Sequence, residues 1–278
     1  MKIGVFGLGS IGMRHAKNLI ALGQEVHGRD TDPDKEWDLV AAGGKIIETA
    51  GGLHASVIAV PSEHHAHYIK YNNTGMPMLM EKPLATEPVD ISNVVMVGNN
   101  LRFHGCVKQA KQWLAEDHIG KLRSAQFTLA QKNTKYKDHV ILNWGSHELD
   151  LATYLLGDAS VVSATGTDRV SFIQLQHRNG VRSNIHLDYV TEPHVRCFQI
   201  LGDEGAICVN LEHRIAWVSR YFRRHEEFQG QDTWDDNYKE EMQAFIDRIN
   251  GKKTLGATGA EGLEVLKLCL EAIRLSQS

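Results

Sequence analysis

The stretch Lys2-Ile3-Gly4-Val5-Phe6-Gly7-Leu8-Gly9-Ser10-Ile11-Gly12 decides how this chain is read. Residues 2–6 form a short apolar run of strand type, and Gly7 to Gly12 fit G-x-G-x-x-G. A glycine hexapeptide alone is a common turn. Here Ile11, Ala16, Leu19 and Ile20 follow at helical spacing and Gly23 stops the pattern, so the glycines join a strand to a helix. In that setting Gly7 permits the tight turn, Gly9 lets the backbone approach a pyrophosphate, and Gly12 lets the helix pack close to the strand. The N–H groups of the helix start, with Ser10 and Ile11, then face phosphate charge. The motif predicts a dinucleotide ligand.

Asp30 ends the second strand-like run, 18 residues beyond Gly12. A carboxylate there accepts both ribose hydroxyls of adenosine and repels a 2′-phosphate, which predicts NAD. Arg29 beside it could hold that phosphate, so NADP stays open. Further runs at 56–60, 78–81 and 94–98 alternate with helical patterns, as in a parallel sheet with helices on its faces. Beyond residue 100 the character changes. A helix is expected over 107–116, a strand near 122–131 and a helix near 146–156, followed by β-rich runs at short spacing. Val181, Ser183, Ile185 and Leu187 alternate with Arg182, Asn184, His186 and Asp188, a period of two with one polar face. Gly202-Asp203-Glu204-Gly205 reads as a hairpin turn, and helical patterns at 238–249 and 262–275 close the chain. The predicted fold class is α/β: a Rossmann doubly wound parallel sheet over 1–100, then an α+β domain with a largely antiparallel open sheet over 101–278.

Composition agrees with two globular domains. At 278 residues the chain is long enough for two, and it should bury about three quarters of its extended surface. Hydrophobic residues at 42% and charged residues at 23% exclude a disordered or collagen-like chain. Lys+Arg 30 against Asp+Glu 34 gives −4, no basis for a nucleic-acid or anionic-membrane binder. No apolar run reaches the roughly 18–20 residues of a membrane span. The start of the chain carries no cleavable signal pattern, and Cys106, Cys197, Cys208 and Cys269 form no C-x-x-C pair. Reduced thiols and a cytoplasmic location are expected.

Glu81-Lys82-Pro83 follows Met78-Leu79-Met80, a buried-looking strand. In an open α/β sheet the carboxyl ends of strands face the ligand crevice, which points Lys82 towards the cofactor; on spacing alone a strand-end lysine is usually a solvated charge. The glycine loop, Pro61 with His65 four residues on, Glu81-Lys82-Pro83, Asn100-Leu101-Arg102-Phe103 and Gly145-Ser146-His147-Glu148-Leu149-Asp150 occur in one order. Together with Tyr238, Phe245, Gly259 and Gly262 near the end, this set resembles the glucose–fructose oxidoreductase / inositol dehydrogenase (Gfo/Idh/MocA) family across nearly the whole chain. The resemblance implies Lys82 and His147 as catalytic residues and Asn143, Arg102 and Trp144 as substrate contacts. It implies cofactor contacts at Gly7, Gly9, Ser10, Ile11, Gly12, Asp30, Pro61, His65, Glu81 and Lys82. It also implies a carbohydrate substrate and a homo-oligomer, dimer or tetramer, through the C-terminal sheet.

The chemistry suits those residue types. Hydride leaves an alcohol carbon only as the hydroxyl proton is removed, and neutral imidazole is a fitting acceptor. A lysine ammonium can hold the developing alkoxide. The sequence departs from the family pattern in three places. Asn143 stands where an aspartate is frequent, and an amide cannot take a proton. The 12 residues between Glu81 and Val94 are few for a crossover helix, and the region 34–44 also looks trimmed. Asn99 replaces a common tyrosine.

Plainer readings stand beside these. Trp144 could stack on a sugar or fill a core. Asp150 could orient His147 or lie on a helix surface. Among 15 histidines, His64 and His67 would share a helix face, but only Glu63 adds to them, so no metal site is expected. The stripe 182–188 could line a cleft, face a subunit or face water. The leading functional expectation is an NAD(P)-dependent oxidoreductase acting on a hydroxyl or keto carbon of a sugar, cyclitol or nucleotide sugar. Two others compete: an NAD-dependent glycosidase with transient C3 oxidation, and a non-catalytic nucleotide-binding regulator.

Overall fold

A computed structural model describes residues 1–278 except 49–50, 73–74, 92–93, 135–137, 222 and 278. The first elements are β1 (Lys2–Phe6), α1 (Ser10–Ala21), β2 (Glu25–Arg29), α2 (Pro33–Ala41), β3 (Lys45–Ile46), β4 (Ala55–Ile58), α3 (His65–Tyr71), β5 (Met78–Glu81) and β6 (Val94–Gly98). Then come α4 (Gly105–Ala115), β7 (Leu122–Ala130), α5 (Ser146–Leu156), β8 (Ala159–Gly166), β9 (Val170–His177) and β10 (Arg182–Asp188). The chain continues through β11 (Val195–Gly202), β12 (Ala206–Asn210), β13 (Ile215–Arg220), β14 (Arg223–Gln229), α6 (Trp234–Ile249) and α7 (Gly259–Ser276). Among the described residues no helix is long and apolar enough to cross a membrane.

Two compact units result. The first comprises Met1–Phe103 and Thr233–Glu264, the second His104–Asp232 and Val265–Ser278. The boundary read from the sequence, with everything after residue 100 in the second domain, therefore differs from the observed one. Residues 233–264 return to the first unit because α6 supplies part of its core: Met242, Ala244, Phe245 and Ile246 join Ile3, Val5, Val57, Leu79 and Leu19 in one buried cluster. A doubly wound sheet needs cover on both faces, and the cover on this face comes from α1 and α6.

The first sheet is parallel, in the order β3-β2-β1-β4-β5-β6. Helix α1 buries Gly12, His15, Ala16 and Leu19, an i, i+3, i+4, i+7 stripe, and ends at Leu22 before Gly23, whose φ is +75°. Asp32 caps α2 by accepting from the Asp34 N–H, with Pro33 in the first turn. Thr233 and Asp236 form a reciprocal capping box on α6. No described residue is helical between β3 and β4, or between β5 and β6. The described part of the trimmed crossover, 82–91, is thus an irregular connection. On the face covered by α3, a cavity of about 660 Å³ is lined by residues that include Phe6, Ser56, Ile58, Tyr68, Tyr71 and Met78.

The second sheet has the order β14-β13-β12-β11-β7-β10-β9-β8, and only the β7–β10 pair is parallel among its pairings. The hairpin at 202–205 joins β11 to β12. One face packs on α4 and α5 through Phe127, Ile185, Leu187, Phe198, Ile200 and Val209. The other carries Asn184 and Arg182 in the open, and Phe172, 52% exposed, stacked on His186 at 4.5 Å between ring centroids.

His104 begins α4, and its Nδ1 accepts the Cys106 N–H at 3.2 Å. Burial pushes its pKa down to about 4. Protonating Nδ1 would remove the cap, and between about pH 6.5 and 4 the unfolded chain binds the proton that the folded chain does not. This group's contribution is therefore full above pH 6.5 and lost as pH falls towards 4, about 3 kcal/mol in all. His104→Asn keeps a capping oxygen without that titration. Its stability, measured by urea unfolding between pH 7.5 and 4.5, is expected to fall less with acidification than that of the wild type.

Candidate dinucleotide and catalytic site

The glycine loop has the shape of a phosphate cradle. Gly7 has φ +84°, and a Cβ on it would lie 2.6 Å from the Ala59 carbonyl oxygen, at the end of β4. A Cβ on Gly12 would lie 1.8 Å from the Gly7 carbonyl oxygen, whereas one on Gly9 would meet nothing within 4 Å. Two glycines are therefore forced by the fold and the third borders open space. Helix α1 starts at Ser10 without a side-chain cap and without an acidic residue in its first turn, so its leading N–H groups suit an anion.

Asp30 stands against this loop. Its Oδ2 accepts the Leu8 N–H at 2.6 Å and its Oδ1 the Asp32 N–H at 2.9 Å. Partial burial pushes its pKa up, but those amide bonds and the Lys35 ammonium outweigh it and hold the carboxyl below its ordinary value. The group is anionic at neutral pH, as a ribose acceptor must be. Arg29 is turned to Glu36, with Nη1 3.4 Å from Oε1.

Pro61 is exposed and precedes a 3-10 turn over Ser62–His64. His65 is buried, with Nδ1 2.8 Å from the Pro83 carbonyl oxygen and Nε2 2.9 Å from that of Val60. Burial lowers its pKa, so one nitrogen donates at a time and the ring bridges the loops after β4 and β5. Lys82 follows β5 and is half-buried. Glu81 does not reach outward as a cofactor contact would. Its Oε1 lies 2.6 Å from Nε2 of His15 and its Oε2 accepts the Lys82 N–H at 3.2 Å. The structure thus brings Gly7, Gly9, Ser10, Ile11, Gly12, Asp30, Pro61, His65, Glu81 and Lys82 to the carboxyl ends of β1, β2, β4 and β5. Arg102 departs from the expected substrate contact: it is 2% exposed and pairs with Glu261 at 2.9 Å.

In the second unit a π-turn over Ile141–Gly145 runs into α5. Such turns interrupt α-helices at functional sites, and the added residue changes the facing expected of a continuous helix. Asn143 lies in that turn and His147 at the start of α5, half-buried. Trp144 takes the core alternative: it is 8% exposed and meets the buried Tyr189 edge-on at 4.3 Å. Next to His147, Glu148 is buried and its Oε1 accepts Nε and Nη2 of Arg196 at 3.0 and 2.8 Å. Burial raises its carboxyl pKa against that guanidinium. Asp150 is buried as well, not on a helix surface.

The sequence reading passed over His15, Glu241 and Arg196. A signal for the first existed: an imidazole inside the stripe Gly12, His15, Ala16, Leu19 must find a buried partner. Among the described residues, His15, Glu81 and Glu241 are the group whose ligand-type atoms converge, within 4.8 Å of one another, rather than His64 and His67.

Comparison with known proteins gives two matching family models. The NAD binding domain of 6-phosphogluconate dehydrogenase matches residues 2–110, and the GFO/IDH/MocA C-terminal domain matches residues 107–208. An inositol 2-dehydrogenase of Rhizobium meliloti (strain 1021) is 26% identical over 320 residues, covering 99% of this chain and 96% of that protein. A crystal structure of an oxidoreductase from Agrobacterium radiobacter in complex with NAD+, L-tartaric acid and magnesium superposes with TM-score 0.88 at 18% identity, over 100% of this chain and 96% of that one. UDP-N-acetylglucosamine 3-dehydrogenase from Acidithiobacillus ferrooxidans superposes with TM-score 0.84 at 20% identity, over 98% and 96%. The last two are likenesses of fold.

The cradle makes a direct test. Gly9→Ala adds a methyl where the protein has room, so its melting temperature should stay near that of the wild type, while NADH affinity, read by fluorescence titration, should fall at least about tenfold. Gly12→Ala should lose thermal stability as well, because its methyl has no place to go.

Proposed function

The chain belongs to the Gfo/Idh/MocA family of oxidoreductases, and on that premise we propose that it is an NAD-dependent dehydrogenase of a sugar, cyclitol or nucleotide sugar. It moves hydride between nicotinamide and a hydroxyl or keto carbon. The observation that carries this reading is the glycine cradle, open at Gly9 and flanked by an anionic Asp30 that is hydrogen-bonded to the loop itself. An anion at Asp30, with Arg29 engaged by Glu36, favours NAD over NADP.

The residues divide the work. The α1 N-terminus holds pyrophosphate charge, and Asp30 accepts the adenosine ribose hydroxyls. The bound nicotinamide supplies the hydride acceptor. Lys82 donates to the substrate oxygen and steadies the alkoxide as it forms, and His147 takes the hydroxyl proton. Asn143 orients without accepting a proton. Arg102 and Trp144 hold their own units in shape. On this reading the first unit is the dinucleotide domain, and the second binds substrate and assembles the oligomer through the exposed face around Phe172 and His186. The four unbridged cysteines favour a reducing, cytoplasmic setting.

The test is mass spectrometry and NADH absorbance on purified protein with NAD and a panel of inositols, sugars and UDP-sugars. One compound should lose two hydrogens as NADH accumulates. Lys82→Met should lower kcat by at least about a thousandfold with NADH affinity within about threefold. Full turnover in Lys82→Met, or glycosidic cleavage without net NADH, would refute the assignment. Asp30→Ala should weaken NAD more than NADP, which initial rates with each cofactor will report.

A further inference from the structure

Glu81, His15 and Lys82 form a connection that the hydride-transfer reading does not itself require. His15 is fully buried on α1, three residues after Gly12 of the cradle. Its Nε2 meets Glu81 Oε1 at 2.6 Å, and the other oxygen of Glu81 takes the backbone N–H of Lys82 at 3.2 Å. One carboxylate therefore ties the helix that begins at the phosphate cradle to the peptide that carries the lysine. The space is cleared for it: on neighbouring β6, a Cβ on Gly98 would lie 2.7 Å from Glu81 Oε1. Glu241 of α6 reaches the same group, and the Tyr238 ring stands edge-on to His15 at 5.8 Å. On the far side of the lysine, the Pro83 carbonyl faces His65.

A cation among these groups is the competing explanation. Two ligand atoms sharing a tetrahedral zinc ion, with bonds near 2 Å, stand about 3.3 Å apart. A separation of 2.6 Å is a short charge-assisted hydrogen bond instead. We propose that His15 is a positioning residue that holds Lys82 through Glu81, so that the placement of the ammonium is coupled to the helix that seats the pyrophosphate. A half-buried lysine on a flexible stem gains its defined position from the peptide beneath it, and small misplacement of a reacting group is costly to rate. The kinetic consequence rests on the dehydrogenase reading; the structural coupling does not.

The experiment uses His15→Phe, which fills the space without a donor, and His15→Gln, which keeps a side-chain N–H. Three quantities are read on the full chain: trace acetylation of Lys82 relative to the exposed Lys17 by mass spectrometry, NADH affinity by fluorescence, and kcat with KM. His15→Phe should change the Lys82 labelling ratio by about fivefold or more. It should lower kcat by about thirtyfold, with KM and NADH affinity within about threefold, and His15→Gln should recover most of both losses. If His15→Phe does not fold, Glu81→Gln replaces it, since its amide presents N–H to one of the two donors and should shift labelling in the same sense. Unchanged Lys82 labelling in a folded variant, NADH binding lost in step with kcat, or no recovery in His15→Gln would overturn the proposal. A wild type that oxidises nothing on the panel refutes the dehydrogenase reading, and the labelling ratio still decides the coupling.

Discussion

Helix α1 leaves β1 with no room to spare: a single methyl on Gly12 would lie 1.8 Å from the Gly7 carbonyl oxygen, far closer than van der Waals contact allows. That contact sets the angle at which the helix crosses the sheet. It aims the leading N–H groups at the place where Gly9 borders open space, and it turns Gly12, His15, Ala16 and Leu19 onto the strands. Because the stripe is fixed, His15 arrives beside Glu81 at the end of β5, and the loops after β1, β2, β4 and β5 come under common control. A close backbone approach at one glycine thus propagates into the placement of Asp30, Glu81 and Lys82 at the ends of two other strands.

The parts of this arrangement that were legible in the sequence are those whose cause is local. Strand β1, the cradle and α1 follow from three glycines and an apolar stripe. Asp30 follows from its position at the end of β2, and the 202–205 hairpin from glycines flanking Asp-Glu. Strand β14 was less legible because its residues are mostly exposed; it pairs only with β13 at the sheet edge and has no apolar alternation to betray it. The two-residue β3 is too short for any period. The Glu81–His15 bond joins residues 66 positions apart, and the return of α6 to the first unit joins positions still more distant, so neither leaves a mark at the scale of one turn or one strand. Trp144 and Arg102 show the same limit in reverse. Motif position suggested contact with substrate, whereas Tyr189 and Glu261, both far along the chain, occupy them.

The second unit manages a buried charge next to its candidate base. Glu148 lies out of water beside a mostly buried Arg196, and burial still raises the carboxyl pKa. A pair of this kind contributes little net stability, but removing either partner strands the other at a cost of several kcal/mol. It fixes α5 to β11 one residue from His147. The π-turn before α5 works in the same place, re-aiming Asn143 relative to a regular helix. The geometry around the imidazole is therefore set by interactions that are individually unfavourable to relax.

The contribution of α6 to the first core also governs the order in which the chain can become a protein. The sheet of β1 to β6 is complete in sequence by Gly98, yet Met242 and Phe245, which cover it, are separated from it by the 129 residues from His104 to Asp232. On a ribosome those residues must all emerge before the cover exists, so the nascent N-terminal sheet waits with one apolar face incompletely dressed. The segment His104–Asp232 can collapse in the meantime, and in doing so it shortens the effective loop that must be closed to bring α6 home. The second unit in turn waits for Val265–Ser278, so the two units interleave along the chain and the one that begins first is also the first to be complete.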